Sequence, residues 1–529
     1  MQSWVARKVN TILLFALLLI MANIALGADT TKLKTIDTAG CNLAIIEETS
    51  PNTYSLISTS KAPNWFSAVF TNIDTSKELT FSLCMNGNDA VGAAGDVSKW
   101  DGLWPVYTYG EYLNYNTYIY YAKNIDGYWV SSDPFLTGEA RLAGNGKTPV
   151  QTVIPTELAE EFLSKNGNYW SAWAELQDTH TNTGSNTFFM TKQFSSSNVS
   201  IAMKYPYNYD YELEYMKRLK DANISGVTVH NIGKSIKDHN LYVIEVSDPN
   251  ATEEELKERR VVLIYANEDG NEPDGSWVAQ GAMSYFINGL AAIKNKQNNE
   301  HFSDKDKKLA LETEKILKEV TFLIIPLFDL AGWNDSTYAS ITDLFKYEDF
   351  EDVRPEVIAY TKFIIDWIAV KERNLDVVVN LHNVECNESV NLFCPYKNML
   401  KHNAMSELNS FILSSNFPSY ITSNNGTWME GYSDKRFMDW CDNLWGSVTI
   451  PYEINSRYPE NRLSLSSLSD LGKGFVFALS DYFASDSYEY IMPQIEKRKL
   501  EQLEKRAQFW NDYPKGEDAH IYFTIGAGF

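Results

Sequence analysis

From about residue 30 to residue 202 apolar and polar positions alternate with a period of two, in short runs separated by turn residues. Glu78–Leu83 and Asn116–Tyr121 show this alternation and predict half-buried strands. Met85–Asp89 and Asn124–Gly127 supply the Asn, Asp and Gly that turns require. One short helix is predicted from Thr156 to Lys165, introduced by Pro155. The economical reading is an all-β sandwich. After Met203 the pattern changes. Asp210 is placed to cap a helix with Tyr211, Tyr215 and Leu219 on one face. Glu212 and Glu214 fall in its first turn, where negative charge meets the helix dipole favourably. Continuous apolar runs then follow at Leu241–Val246, Val261–Tyr265, Val320–Ile325, Asp376–Leu381 and Ser447–Tyr452. Between or after them lie amphipathic stretches near Val278–Lys294, Asp306–Lys318, Pro355–Lys371, Ala404–Ser414 and Leu471–Phe483. Strands apolar on both faces, alternating with helices, predict an α/β domain: a mixed sheet covered by helices. A charged helix at Ile495–Phe509 and a strand around Ile521–Thr524 close the chain.

The first residues follow neither pattern. Arg7 and Lys8 precede an apolar run, Ile12–Ala22, and then Ala25-Leu26-Gly27. That is the layout of a secretory signal cleaved before Ala28, so a secreted or periplasmic protein is expected. The run falls short of the roughly 20 residues a spanning helix needs, and no later segment exceeds it. The expected organisation is a signal at 1–27, a β-sandwich at 28–202, the α/β domain at 203–486 and a terminal helix and strand at 487–529.

Charge narrows the function. With 46 Lys and Arg against 69 Asp and Glu, the formal net charge is −23. A nucleic-acid partner is excluded on that balance, because binding one needs a basic face that displaces counterions. The five cysteines are too few for a disulfide scaffold; Cys386 and Cys394 could pair, or all five could be reduced core residues. The many Trp and Tyr of the first region fit core packing better than carbohydrate platforms. Only 7 histidines are present, so any imidazole-based site has few members to draw on.

Ligands of open α/β sheets bind beyond the carboxyl ends of the strands. Three predicted strands end in polar residues: Val261–Tyr265 runs into Ala266–Trp277, Asp376–Leu381 into His382-Asn383, and Ser447–Tyr452 into Glu453-Ile454-Asn455. Singly, a polar turn, a capping His and a paired Glu account for them. A Glu after an apolar strand is also desolvated, which raises its pKa toward that of a useful general base.

In combination these segments resemble the zinc carboxypeptidase family, the carboxypeptidase A-like metallopeptidases, over roughly Tyr205 to Phe483. The preceding sandwich is similar to the arrangement in the cytosolic-carboxypeptidase branch. The resemblance implies a metallocarboxypeptidase with one zinc ion. Glu272 matches the Glu of the family's H-x-x-E pair, His382 its later ligand, and Glu453 its general base. Asp439-Trp440 matches an Asp-Trp pair in the specificity pocket, with Met438 beside it, and Tyr432 matches a loop tyrosine near the substrate. The departures matter equally. Asp269 stands where the family has its first His, and Asn271 where it has an Arg inside the pair. The Asn-Arg pair that grips a C-terminal carboxylate falls near Asp343–Lys346, where Lys346 lacks the fork of an Arg. Arg457 or Lys435 would have to supply the missing cation.

Aspartate binds zinc, but a two-carboxylate, one-His set is a weaker Lewis acid and shifts preference toward harder ions. The implied activity is hydrolysis of peptide bonds at or near a C-terminus. A degenerate member that binds without cleaving, or an amidase or deacylase acting on another amide, fits the missing clamp as well.

Overall fold

The computed structural model describes residues 32–36, 41, 43–58, 65–84, 103–109, 122–125, 128–131, 173–270, 272–297, 304–329, 355–384, 392–393, 437–455 and 463–484, with positions 493, 497 and 500. The first region is strand-rich. One five-stranded sheet runs, edge to edge, through β1 (Lys34–Ile36), β4 (Ser67–Thr71), β12 (Val199–Ala202), β6 (Val106–Tyr109) and β9 (Ala174–Glu175). A second runs through β10 (Thr179–Asn182), β11 (Thr187–Gln193), β5 (Glu78–Cys84), β3 (Thr53–Ser58) and β2 (Leu43–Ser50). On β5 the expected alternation holds, with Leu79, Phe81 and Leu83 buried. Phe81 stacks on Phe70 of the other sheet at 4.5 Å, and Trp65 and Trp173 are buried as core residues. β7 (Ala122–Ile125) and β8 (Tyr128–Ser131) pair antiparallel, so the first half of the turn predicted at 124–127 belongs to β7, and residues 126–127 lie outside the described residues. The strand expected at 116–121, the turn at 85–89 and the helix at 156–165 lie outside the described residues, as does the predicted signal.

The second region is built on a seven-stranded mixed sheet. In spatial order it is β13 (Val227–Lys234), β14 (Asn240–Val246), β16 (Val320–Ile325), β15 (Arg260–Ala266), β17 (Val377–Val384), β19 (Val448–Asn455) and β18 (Leu392–Phe393). β16, β15, β17 and β19 are parallel, and the flanking strands are antiparallel. The apolar runs read from sequence form the centre because both their faces are covered, as in β15 and β16. β13 was not expected: it is an edge strand, half-buried or exposed at every position, and carries no apolar run. Two strands extend further than their apolar residues suggest. β17 reaches Val384 and β19 reaches Asn455, so His382 and Glu453 lie within strands rather than after them. The ladder overrides the polar character of the residues at these ends: His382 and Glu453 are register partners.

Helices cover the sheet. α1 (Tyr209–Ala222) buries Tyr211, Tyr215, Met216 and Leu219. Its cap is Asn208, whose Oδ1 accepts from Tyr211 N at 2.9 Å, and Asp210 lies inside the first turn instead. α2 (Glu253–Lys257) carries a Thr252–Glu255 capping box. α3 (Pro273–Gln297), α4 (Asp304–Glu319) and α5 (Pro355–Lys371) follow the predicted stretches, with α3 starting earlier. α6 (Phe437–Trp445) was not expected, and α7 (Leu465–Phe483) begins at a Ser464 cap, before the predicted start. The segments predicted at 404–414, 495–509 and 521–524 lie outside the described residues as elements. Cys41, Cys84 and Cys441 are thiols; Cys386 and Cys394 are not described.

α3 and α7 cross with backbones touching. A Cβ at Gly472 would overlap the carbonyl of Val278, and one at Gly281 the backbone of Ser469. Gly→Ala in an exposed helix interior stabilises by about 1 kcal/mol. Here the sign should reverse: Gly472→Ala is expected to cost about 1–3 kcal/mol or more in urea unfolding. Glu212 offers a second check. Its side chain is 1% exposed and burial alone holds its pKa well above 4.5. Above that value the unfolded chain ionises first, so stability falls as pH rises, by up to about 1.4 kcal/mol per unit, until the folded pKa is passed. Glu212→Gln should therefore gain on the wild type as pH rises above about 4.5 in the same assay.

Candidate metal centre

The site is assembled where β15 turns into α3 and where β17 and β19 end. β15 stops at Ala266, and Asn267 takes a left-handed conformation, φ 60°, that Asn tolerates better than most residues. Phe328 N and Asp329 N bond to Ala266 O and Asn267 O at 3.0 and 2.8 Å, fixing the start of the turn. Glu272 N donates to Asp269 O at 3.0 Å, closing the turn so that both carboxylates sit on one side. Pro273 then opens α3, where its fixed φ suits the first helical position and its missing N–H costs nothing.

The start of α3 is fastened to β17 by two contacts. Asn383 Nδ2 donates to Asp274 Oδ2 at 2.7 Å while Asp274 N donates to Asn383 Oδ1 at 3.2 Å. Gly275 lies so close to β17 that a Cβ there would stand 2.6 Å from Leu381 O. These contacts bring Glu272 against His382, with His382 Nδ1 2.8 Å from Glu272 Oε2 and 3.6 Å from Asp269 Oδ2. One ligand atom from each of Asp269, Glu272 and His382 lies within 4.8 Å of the other two. The set fits a divalent cation: two oxygen donors and one imidazole converge on one point, and zinc accepts all three types.

Charge makes the fit stronger. Burial pushes the Glu272 carboxyl up to about 7, aided by Asp269 and opposed by the His382 charge and hydrogen bond and by Lys204. Burial also works against a charged His382, but Glu272, Glu268 and Glu453 together hold its pKa well above 6.5. The pocket therefore favours positive charge. Glu453 is 6% exposed and sits beside His382 through the β17–β19 register.

Several residues here were not singled out from sequence. Glu268 is fully buried and accepts from Asn380 Nδ2 at 2.6 Å and from Tyr265 Oη at 3.2 Å. Asn380 Nδ2 also lies 2.6 Å from His382 Nε2. The strand period of two puts Asn380 and His382 on one face, a signal the sequence carries. Lys204 is 2% exposed, between Met203, whose N–H donates to Phe66 O, and Tyr205, whose carbonyl accepts from Trp277 Nε1. Of the other sequence-derived residues, Met438 is fully buried on α6. Asp439 follows it on the same helix. Tyr432, Lys346, Lys435 and Arg457 lie outside the described residues, as does Asn271.

Residues 212–334 match the zinc carboxypeptidase family; the matched span holds Asp269 and Glu272 and ends before His382 and Glu453. Comparison with curated proteins gives no match. A metallo-carboxypeptidase from Burkholderia cenocepacia has a similar structure at 13% identity, with a TM-score of 0.58 over 85% of this chain and 99% of that one. A metallo-carboxypeptidase from Pseudomonas aeruginosa, in complex with (2-guanidinoethylmercapto)succinic acid, gives 13% identity and a TM-score of 0.57 over 85% of this chain and 100% of that one. At such identity the likeness is one of fold, and it extends well outside residues 212–334. Residues 212–334 thus match the zinc carboxypeptidase family and are set within a fold that resembles that of metallo-carboxypeptidases.

Proposed function

We propose that this protein is an exported metallocarboxypeptidase that hydrolyses peptide bonds at or near a C-terminus. The observation that carries the reading is the convergence of Asp269, Glu272 and His382 within 4.8 Å of one another. These three would hold one ion, zinc or a harder divalent metal, which when bound supplies Lewis-acid activation for amide hydrolysis. Glu453 is the general base. It takes a proton from the attacking water and returns it to the leaving amine, from a nearly buried position beside His382. Tyr432, Lys346 and Arg457 are assigned to the substrate, with Asp439 and Met438 in the wall of its side-chain pocket. Residues 28–202 are assigned to a β-sandwich domain and 203–486 to the catalytic domain, after a signal at 1–27. No helix among the described residues is long and apolar enough to cross a membrane.

Three measurements test this. Glu453→Gln should abolish hydrolysis and leave the metal content of the purified protein unchanged; near-normal rates would sink the general-base assignment. Glu272→Ala should lose stoichiometric metal, and a wild type that binds none would favour a binding protein that does not cleave. Peptides with free C-termini should be cleaved in preference to amidated ones. The reverse order would move the activity to an amidase or deacylase.

A further inference from the structure

The metal reading leaves one buried acid without a task. Glu268 directly precedes Asp269, is fully buried, and turns back over the seam between β15 and β17, where Tyr265 and Asn380 are register partners. Both partners donate to its Oε2, Asn380 Nδ2 at 2.6 Å and Tyr265 Oη at 3.2 Å, and His382 Nε2 stands 3.5 Å from the same oxygen. A buried carboxylate is costly unless donors surround it. Two donors converge on this one, and beside them, with Asn380 Nδ2 2.6 Å from its Nε2, lies the ring whose other nitrogen faces Glu272 and Asp269.

We propose that Glu268 is a positioning residue for His382: its carboxylate engages Nε2 and so holds the ring with Nδ1 turned toward the Asp269–Glu272 pair. An imidazole that ligates a metal through one nitrogen must place the proton of the other, and an acceptor fixed by the protein sets both tautomer and ring angle. Glu268 provides that acceptor from the turn that also carries Asp269 and Glu272. The turn therefore contributes two donors and orients the third. Asn380, two residues before His382 on β17, keeps the carboxylate from swinging away.

The proposal rests on the metal reading above, and the experiment separates the two. Zinc affinity of the full chain is measured by competition with a chromogenic chelator for the wild type, Glu268→Gln and Tyr265→Phe, with thermal melts of the metal-free proteins. Glu268→Gln should weaken zinc binding by about 10–100-fold. Tyr265→Phe removes a donor from the same carboxylate without touching His382, and should lower the melting temperature while changing zinc affinity by less than the roughly tenfold that loss of a ring-orienting group costs. A wild type that binds no zinc overturns the metal reading and this proposal with it. A wild type that binds while Glu268→Gln binds equally overturns this proposal alone. A measurement without variants covers the case in which Glu268→Gln does not fold. In the zinc-loaded wild type, long-range proton–nitrogen correlations of His382 should show the proton on Nε2; a proton on Nδ1 overturns the proposal.

Discussion

The close approach of α3 to β17 is the constraint on which the site depends. Two chain segments that are far apart in sequence must meet with their side chains facing, and a Cβ at position 275 would hold them apart. Gly275 removes that obstacle, letting the helix backbone settle against Leu381 O. The reciprocal Asp274–Asn383 bonds then fix the axial position, which packing alone would leave free to slide. Glu272 is the residue before the helix and His382 the residue before Asn383. Once the pair Asp274–Asn383 is made, the distance from Glu272 to His382 is set by two short, stiff stretches of backbone.

Around that contact the chain gathers an excess of negative charge. Glu268, Asp269, Glu272 and Glu453 surround one imidazole, and Lys204 supplies further positive charge from the segment between β12 and α1. Carboxylates this close repel each other, and taking them out of water adds to the cost. The arrangement favours a cation at its centre. The surrounding carboxylates raise the pKa of His382 and so favour positive charge on its ring; a divalent ion on the same side of the ring would answer the same need more completely. With Asp269 as a ligand in place of a neutral one, the site would be tighter for a cation and a gentler activator of whatever the cation held.

The parts legible in the sequence were those decided by burial. β14, β15 and β16 are apolar on both faces and were found close to their observed bounds, because no competing interaction changes where such strands belong. β13 escaped because an edge strand is specified by its partner, and its own residues are half-buried or exposed. α1 was placed well but its cap was misread: Asn208 and Asp210 both suit the position, and only geometry shows which carboxamide or carboxylate reaches Tyr211 N. His382 and Glu453 were read as following their strands, since polar residues look like ends when the ladder cannot be seen. Asp269, Glu272 and His382 could be named together through the resemblance of their spacing. Glu268 could not, because an acidic residue in an acidic turn looks solvent-facing until the fold encloses it.

The pairing of His382 with Glu453 across adjacent parallel strands has a kinetic side. Parallel strands cannot be joined by a tight turn, so their contacts close long loops and form slowly compared with local ones. The proposed centre draws on residues from Lys204 to Glu453 and on three of the four parallel strands of the sheet. No fragment of the chain assembles it. A metal signal would thus report that the whole sheet has reached its native register, which makes occupancy of this centre a marker of completed folding.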